Sequence, residues 1–568
     1  MSAATVRRPG INGEHVLLAV VTVYVLIFAA LPLARILVEA FLPDGRIGLD
    51  LVWRVLSSRA ASAALVNTIE AGIASTLLSL VLGTLGALAV GLSDVRLKPA
   101  LVFLFLMPLL VPAQIAALSW LELLGPSSPV LAPLGLAPPP GTRNPLYSRE
   151  GVIFLMGLEH SALVFLSVRA GLRTVPRNLV EAARSAGAGP LRIVVDVVLP
   201  LVRPAMVGGA ALAFVSSIGN FGIPALLGIP GRYTLLTTLI YQRLSGFGPR
   251  VLGEVGTLAL MLAVLAGAGL VVQTLALRHH RSPSAGTMDT VPFPLGRRRV
   301  VVEGMVWGFL LLTAVLPLAA LAGTSLVTAL GVPLSPGTAT LEHYRYVLAE
   351  YPATRRAFAN STALAGLAAI AVAVVSVPLG HIIVRRPRPL IRLLDGLADA
   401  PFALPGIVLS IACIMIYLKP LPVAGVGLYG TFWIILFAYL GRFLALGLRS
   451  TIAGLRQIDV ALEEAAQASG AGALRRLVTV VRPLASPAAM AGAVLVFMSA
   501  FNELTVSILL WSSGHETLGV MVFNLYDEGH TTAAAAVSVL SVLATLAMAA
   551  LVTLAARWLP RGVLPWQA

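Results

Sequence analysis

Residues 181–200 read EAARSAGAGPLRIVVDVVLP, and residues 464–483 read EAAQASGAGALRRLVTVVRP. Twelve of the twenty positions agree, and the copies stand 283 residues apart in a chain of 568. A charged, Gly-punctuated segment kept twice implies that the chain is a duplication and that something outside each copy reads it.

The setting of the copies is apolar. Hydrophobic residues make up 58% of the chain and charged residues 11%, with a mean hydropathy of +0.91. An ordinary soluble domain carries roughly 25% charged residues, so this is the composition of a membrane protein. The net charge of +15 does not form an aromatic-interleaved basic patch, which argues against a nucleic-acid partner. The single cysteine, Cys413, excludes an internal disulfide and a cysteine-based metal cluster.

Crossing about 30 Å of hydrocarbon takes about 20 apolar residues. Runs of that kind occur near 16–38, 62–92, 99–124, 151–170, 205–228 and 253–277, then near 301–322, 359–384, 395–418, 427–449, 488–511 and 533–557. The first run is long enough to span and no cleavage site clearly follows it, so it reads as a transmembrane helix. The expected fold is an all-α polytopic membrane protein of about 12 transmembrane helices in two six-helix repeats, residues 1–285 and 286–568.

The match between halves extends beyond the motif. Asn67-Thr68 corresponds to Asn360-Ser361, and Pro108 and Pro112 to Pro401 and Pro405, at a spacing of 293. The motif and its prolines keep 283, so ten residues are lost between, where the first half has a long loop from Gly125 to Glu150. Equal span numbers make the repeats parallel, related by an axis along the membrane normal.

Basic residues gather in loops held by the cytoplasm. Arg7, Arg8, Arg96, Lys98, Arg173, Arg177, Arg278, Arg281, Arg385, Arg386, Arg475 and Arg476 fall on one side. Both termini and both motif loops, about 174–204 and 457–487, are therefore expected in the cytoplasm. Arg143, Arg149, Arg355 and Arg356 fall on the other side, so the bias is a majority.

The motif itself predicts two short helices. Pro176 suits a first turn, the Ala-rich stretch to Ala186 suits a helix, Gly187 and Gly189 permit a sharp turn, and a second helix runs from Pro190 to near Pro200. Ala182, Ala183 and Ala186 leave a smooth face, Leu179, Leu191 and Val194 offer apolar contact, and Glu181 and Arg184 are candidates to bond a partner. No G-x-x-x-x-G-K-[ST] occurs, so if ATP energises this protein another chain hydrolyses it.

On these residues the sequence resembles the membrane subunits of bacterial ATP-binding-cassette importers. Their signature of E-A-A, three residues, Gly, nine residues, an aliphatic residue, any residue and Leu-Pro is met by Glu181, Ala182, Ala183, Gly187, Val197, Leu199 and Pro200. Glu464, Ala465, Ala466, Gly470, Val480 and Pro483 meet it again, with Arg482 in place of the Leu. The resemblance implies a fused pair of type I importer permease domains whose motif loops are coupling helices. It implies two ATPase subunits on the cytoplasmic side carrying the ATP and Mg, no cofactor on this chain, an extracytoplasmic substrate-binding protein, and the inner membrane of a bacterium. Fused chains of this kind resemble ferric-iron permeases first, and permeases for thiamine, phosphonate, polyamine or another small solute as alternatives. An ion-gradient secondary transporter or a scaffold would not need docking loops.

Candidate pathway residues are the polar ones inside spans: Glu70, Glu159, His160, Asn220, Asp399, Asn502 and Glu503. Each would be costly facing lipid. Asn220 and Glu503 stand 283 apart and so form an expected pseudo-symmetric pair. Against a pathway role stands the plainer one of hydrogen-bonding a neighbouring helix, invited by the carbonyls freed at the Pro-broken spans. Glu159-His160 is the one pair chemically suited to a ferric ion, though two such groups do not make a site.

Overall fold

The computed structural model describes residues 13–41, 50–244, 246, 251–277, 293–386, 388–420 and 425–555. Arg7, Arg8, Arg278, Arg281, His279, His280 and the expected boundary at 285/286 lie outside them. The principal helices of the first half are α1 (His15–Glu39), α2 (Arg59–Leu92), α3 (Lys98–Leu110), α4 (Ala113–Leu123), α5 (Arg149–Leu172), α6 (Arg177–Ser185), α7 (Pro190–Gly219), α8 (Leu236–Leu244) and α9 (Val251–Leu277). The second half repeats them as α10 (Gly296–Ser325), α11 (Pro352–Arg385), α12 (Pro389–Ala403), α13 (Gly406–Tyr417), α14 (Phe432–Leu455), α15 (Val460–Ala468), α16 (Ala473–Phe501), α17 (Leu518–Asp527) and α18 (Thr531–Leu554).

Ten of these helices are long and apolar enough to cross a membrane. The expected third and ninth spans are not straight crossings: α3 and α4 meet at 105°, and α12 and α13 at 107°. Pro112 and Pro405 stand at the two elbows in extended backbone, because proline cannot continue the preceding helix's hydrogen bonding. The expected fifth and eleventh spans are also displaced. α7 and α16 begin in the motif loops and stop at Gly219 and Phe501, so the motif's second helix and the membrane span are one continuous rod.

Pro200 therefore does not end a helix, contrary to the reading of the motif, and neither does its equivalent Pro483. Six π turns occur among the described residues, at Leu26–Ala30, Val194–Val198, Pro224–Gly228, Leu311–Val315, Tyr346–Glu350 and Leu477–Val481. Each is followed two residues on by a proline: Pro32, Pro200, Pro230, Pro317, Pro352 and Pro483. Proline lacks an N–H and its ring crowds the carbonyl four residues back; widening the turn before it relieves both defects without breaking the rod. Leu199 N–H thus bonds Val194 O, and Arg482 N–H bonds Leu477 O in the same way. Replacement of the signature Leu by Arg482 leaves the backbone unchanged.

Each half is built on a tight three-helix unit, α2/α5/α7 and α11/α14/α16. Small residues let the rods approach, as membrane helices gain little from apolar burial and depend on close packing. A Cβ on Gly157 would sit 2.6 Å from Leu78, and one on Gly492 would sit 2.9 Å from Gly447 O. The duplicated polar residues brace each unit identically. Asn67 Nδ2 donates to Thr234 O at 3.0 Å, as Asn360 Nδ2 does to Glu516 O at 3.0 Å. Thr68 and Ser361 hydroxyls accept from Leu236 N and Leu518 N at 2.8 and 2.9 Å.

The halves exchange their first helices. α1 packs on α9 of its own half and on α13 of the other, while α10 packs on α18 and on α4. Tyr24 Oη donates to Leu440 O at 2.9 Å in one exchange, and Thr324 Oγ1 donates to Glu122 Oε2 at 2.9 Å in the other.

Candidate functional site

Two places carry the polar chemistry of the chain, the pair of motif loops at one end and a chamber between the halves.

In each motif loop a nine-residue helix, α6 or α15, ends on a glycine with left-handed backbone, Gly187 at φ +81° and Gly470 at φ +84°. The next residue closes the turn: Ala188 N–H bonds Ala183 O, and Ala471 N–H bonds Ala466 O, both at 3.0 Å. This is the six-to-one bond of a Schellman cap, and it needs a residue tolerant of positive φ. Gly189 and Gly472, by contrast, have φ of −70° and −65° and use no glycine-only conformation. Glu181 and Glu464 are both exposed, with Glu181 accepting from Arg177 Nε at 2.6 Å. Leu179 and Leu191, and their equivalents Leu462 and Leu474, also stand exposed on the loops. Ala182 and Ala465 are exposed, and Ala183 and Ala466 turn partly inward. The Arg184 guanidinium lies 4.5 Å above the ring of Phe293, in the segment joining the halves.

The two loops are attached to the membrane helices by different chemistry. In the first half Val180 is buried with Leu92, Val175 and Ile193. In the second half the equivalent of Val180 is Glu463, which accepts from His381 Nε2 at 2.7 Å and Arg385 Nε at 2.8 Å. Burial works to raise the Glu463 carboxyl, but the hydrogen bonds and charges of His381 and Arg385 outweigh it and hold it below the usual carboxylate range.

The chamber, of about 640 Å³, lies where the two elbows and the ends of α7 and α16 meet. Of the residues expected in a pathway, Glu159, Asn220, Asp399, Asn502 and Glu503 line it. Asn220 Nδ2 donates to Glu159 Oε2 at 2.9 Å. Asn220 and Glu503 do form an equivalent pair, and their first task is structural. Asn220 Oδ1 accepts from Ile223 N at 3.2 Å, and Glu503 Oε1 from Val506 N at 2.8 Å, so each caps the turn after its span. Asn502 donates to Thr545 Oγ1 at 2.9 Å.

Glu70 and His160 are not in the chamber. Glu70 is tied to Arg149 and accepts from Tyr233 Oη at 3.1 Å, which fixes loop to helix. His160 Nδ1 lies 2.9 Å from Ser217 Oγ, inside the three-helix unit. Consecutive helix residues diverge by about 100° around the axis, so Glu159 and His160 point to different surroundings. No group of three or more His, Cys, Asp or Glu suited to a metal occurs among the described residues.

Two arginines in the chamber escaped the reading of the sequence. Arg442 stands 283 residues after Glu159, at the equivalent position in α14, and its guanidinium donates to Pro401 O at 3.5 Å and to Leu404 O. Arg449, at the end of the expected span 427–449, lies in α14 and pairs with Asp395 at 2.8 Å and with Asp399. The equivalence of 159 and 442 was the available signal.

Exposure rises steeply along the chamber. Asn220 and Asn502 are 7% exposed, whereas the side chains of Arg449 and Asp399, nearer the motif loops, are 41% and 43% exposed. The chamber is open toward the motif loops and shut at the other end. The seal joins the halves: Gln114 Nε2 donates to Asn502 O at 3.3 Å, and Gly219 lies against Pro405. Beyond it Phe221 meets Phe523 with ring centroids 5.8 Å apart, and the hydroxyls of Tyr147 and Tyr526 are 2.8 Å apart.

Comparison with known sequences agrees with this architecture. The profile of the family described as the inner membrane component of binding-protein-dependent transport systems matches residues 79–282 and again 353–565. The chain belongs to that family. It is a fused, two-domain ABC transporter permease. Over 569 residues it is 29% identical to a probable ABC transporter permease of Sinorhizobium fredii, covering 96% of both chains. It is 24% identical over 400 residues to the ferric transport system permease protein of Actinobacillus pleuropneumoniae, covering 69% of this chain and 56% of the relative. It is 27% identical over 197 residues to the molybdenum transport system permease protein of Mycobacterium tuberculosis, covering 35% of this chain and 70% of the relative. The permease is thus a multi-pass membrane transport subunit, and its family implies an ATPase and a substrate-binding protein as partners.

Proposed function

We propose that this permease forms the membrane path of an importer in which two ATPase subunits dock on the motif loops, one per half, from the cytoplasm. The observation that carries the reading is the repeated turn itself. Two loops with the same Schellman bond, the same positive φ and the same exposed Glu and Leu residues present equivalent docking faces. Glu181, Ala182, Ala183, Gly187 and Pro200 serve the first face, and Glu464, Ala465, Ala466, Gly470 and Pro483 the second. ATP and Mg reside on the partner subunits and this chain holds no cofactor. Both termini lie in the cytoplasm, and solute captured by an extracytoplasmic binding protein enters the chamber once the seal at Gln114 and Asn502 parts.

Because each loop is continuous with a membrane rod that reaches the seal, α7 to Gly219 and α16 to Phe501, movement of the loops is carried directly to residues 219–222 and 502–505. The substrate we favour is ferric iron, supported by the named ferric relative; the binding protein exerts the selection, and thiamine, phosphonate or polyamine are the other candidates. The test is the Glu181→Lys/Glu464→Lys double variant. Co-purification of the ATPase and binding-protein-stimulated ATP hydrolysis in vesicles should both fall, more than in either single variant. Full stimulation and full uptake by the double variant would remove the coupling role. Metal analysis of the co-purified binding protein tests iron separately.

A further inference from the structure

On the outside of the first half, α2, α7 and α9 enclose a groove of about 710 Å³ facing the membrane. Its floor is α7, and its depth comes from small residues, Ala210 and Ala211 on α7 and Ala268 and Gly269 on α9. Its walls are apolar, with Ile73 and Leu77 of α2 and Val272 of α9 exposed at 50%, 58% and 65%. Along each helix the lining extends over 12 residues, 69–80, 203–214 and 265–276. Twelve helical residues rise about 16 Å, roughly half of a 30 Å hydrocarbon layer, so the groove has the depth of one leaflet.

One end of this apolar groove is polar. Arg203 and Gln273 close it on the side of the motif loops, toward the end of α7 that carries the first motif. Arg203 is exposed and makes no ion pair with the described residues. Its equivalent in the second half is Ser486. A leaflet-deep apolar slot ending on an unpaired guanidinium and a carboxamide has the chemistry of a phospholipid: acyl chain in the slot, phosphate at its mouth.

We propose that the groove is a binding site for one anionic phospholipid of the leaflet on the motif-loop side, its acyl chain lying on α7 and its phosphate held by Arg203 and Gln273. The lipid seats on the rod that joins the first motif loop to the seal. A change in the angle of α7 against α2 and α9 alters the groove, so occupancy and the position of the rod are linked.

The test is native mass spectrometry of the full-length permease released from mild detergent, with dioleoyl phosphatidylglycerol or dioleoyl phosphatidylcholine added. Wild type should retain one phosphatidylglycerol in preference to phosphatidylcholine. Arg203→Gln should lower that preference about fivefold, the scale of one basic residue at an anionic surface. Ala211→Phe, which fills the slot, should abolish retention of both lipids; Ala268→Leu fills it from the other wall if the first variant fails to assemble. Equal retention of the two lipids by wild type, an unchanged preference in Arg203→Gln, or undiminished retention in the filled variants would overturn the site. Lipid retention is read without transport, so failure here leaves the importer reading untouched and failure of uptake leaves this one untouched.

Discussion

Glu159 and Arg442 occupy the same position in the two halves, 283 residues apart, and line one chamber with opposite chemistry. Around them the surroundings differ as well, since Glu159 accepts from the Asn220 amide while Arg442 donates to the carbonyls of the second elbow. The expectation is a division of labour. Glu159→Gln keeps the bond to Asn220 and removes the ionisable carboxyl, so assembly should be intact while uptake falls about tenfold, the equivalent of roughly 1.4 kcal/mol. Normal uptake by this variant would leave Glu159 as a brace alone. Arg442→Leu should instead lower thermal stability, by about 1–3 kcal/mol, because the carbonyls it serves are left without a donor.

The turns of the motif loops separate two kinds of glycine. Gly187→Val and Gly470→Val put a β-branched residue at φ near +80°, where a Cβ meets no neighbour but the backbone itself is strained. The cost should be about 1–3 kcal/mol at the turn, with weakened ATPase co-purification and normal membrane insertion. Gly189→Ala and Gly472→Ala should be tolerated, since their φ values of −70° and −65° suit any residue. Equal damage at all four positions, measured by stimulated ATP hydrolysis, would count against the turn geometry as the cause.

The second loop should be loosened by removing charge and the first should not. Glu463→Ala leaves His381 and Arg385 without their acceptor and should cost the loop about 1.5–3 kcal/mol, the range for hydrogen bonds to a charged group. The readout is faster amide exchange over α15. Val180→Ala should loosen α6 instead, through lost apolar contact. The Glu463 carboxyl is held below its ordinary value in the fold, so its contribution is present above the unfolded pKa of about 4.3 and is lost as pH falls through the folded value. Protection of α15 should therefore not decline through Glu463 between neutral pH and about pH 5, and should drop in more acid solution.

The orientation is open to labelling of single-cysteine variants in which Cys413, which is buried, is replaced. Ser185→Cys and Ala468→Cys are exposed on the motif loops and should react only from the cytoplasm. Thr142→Cys, exposed on the long loop before α5, should react only from outside. Ser128 of the same loop is fully buried and would be a poor reporter, although its sequence neighbourhood is that of an open loop. Labelling of Ser185→Cys from outside would reverse the orientation and remove the docking reading.

By itself the sequence determined the class, the duplication and the paired motif turns. Those rest on local facts: run length fixes which segments can cross a bilayer, the repeat of E-A-A and Gly at a fixed interval is visible without coordinates, and positive φ at Gly187 and Gly470 follows from a helix that must stop and turn. Only the tertiary structure decided the rest. Hydropathy is blind to direction, so it read α3 with α4, and α12 with α13, each as one Pro-broken span, without showing that Pro112 and Pro405 bend them by more than 100°. It took Pro200 as a helix end because a proline's cost depends on whether the preceding turn can widen, which is a property of the whole rod. It grouped Glu70 and His160 with Glu159 because all are polar residues in apolar runs, and it overlooked Arg442. Which of these meets the chamber depends on helix rotation and on a partner many residues away, Arg149 for Glu70 and Ser217 for His160, and that information exists only once the helices are packed.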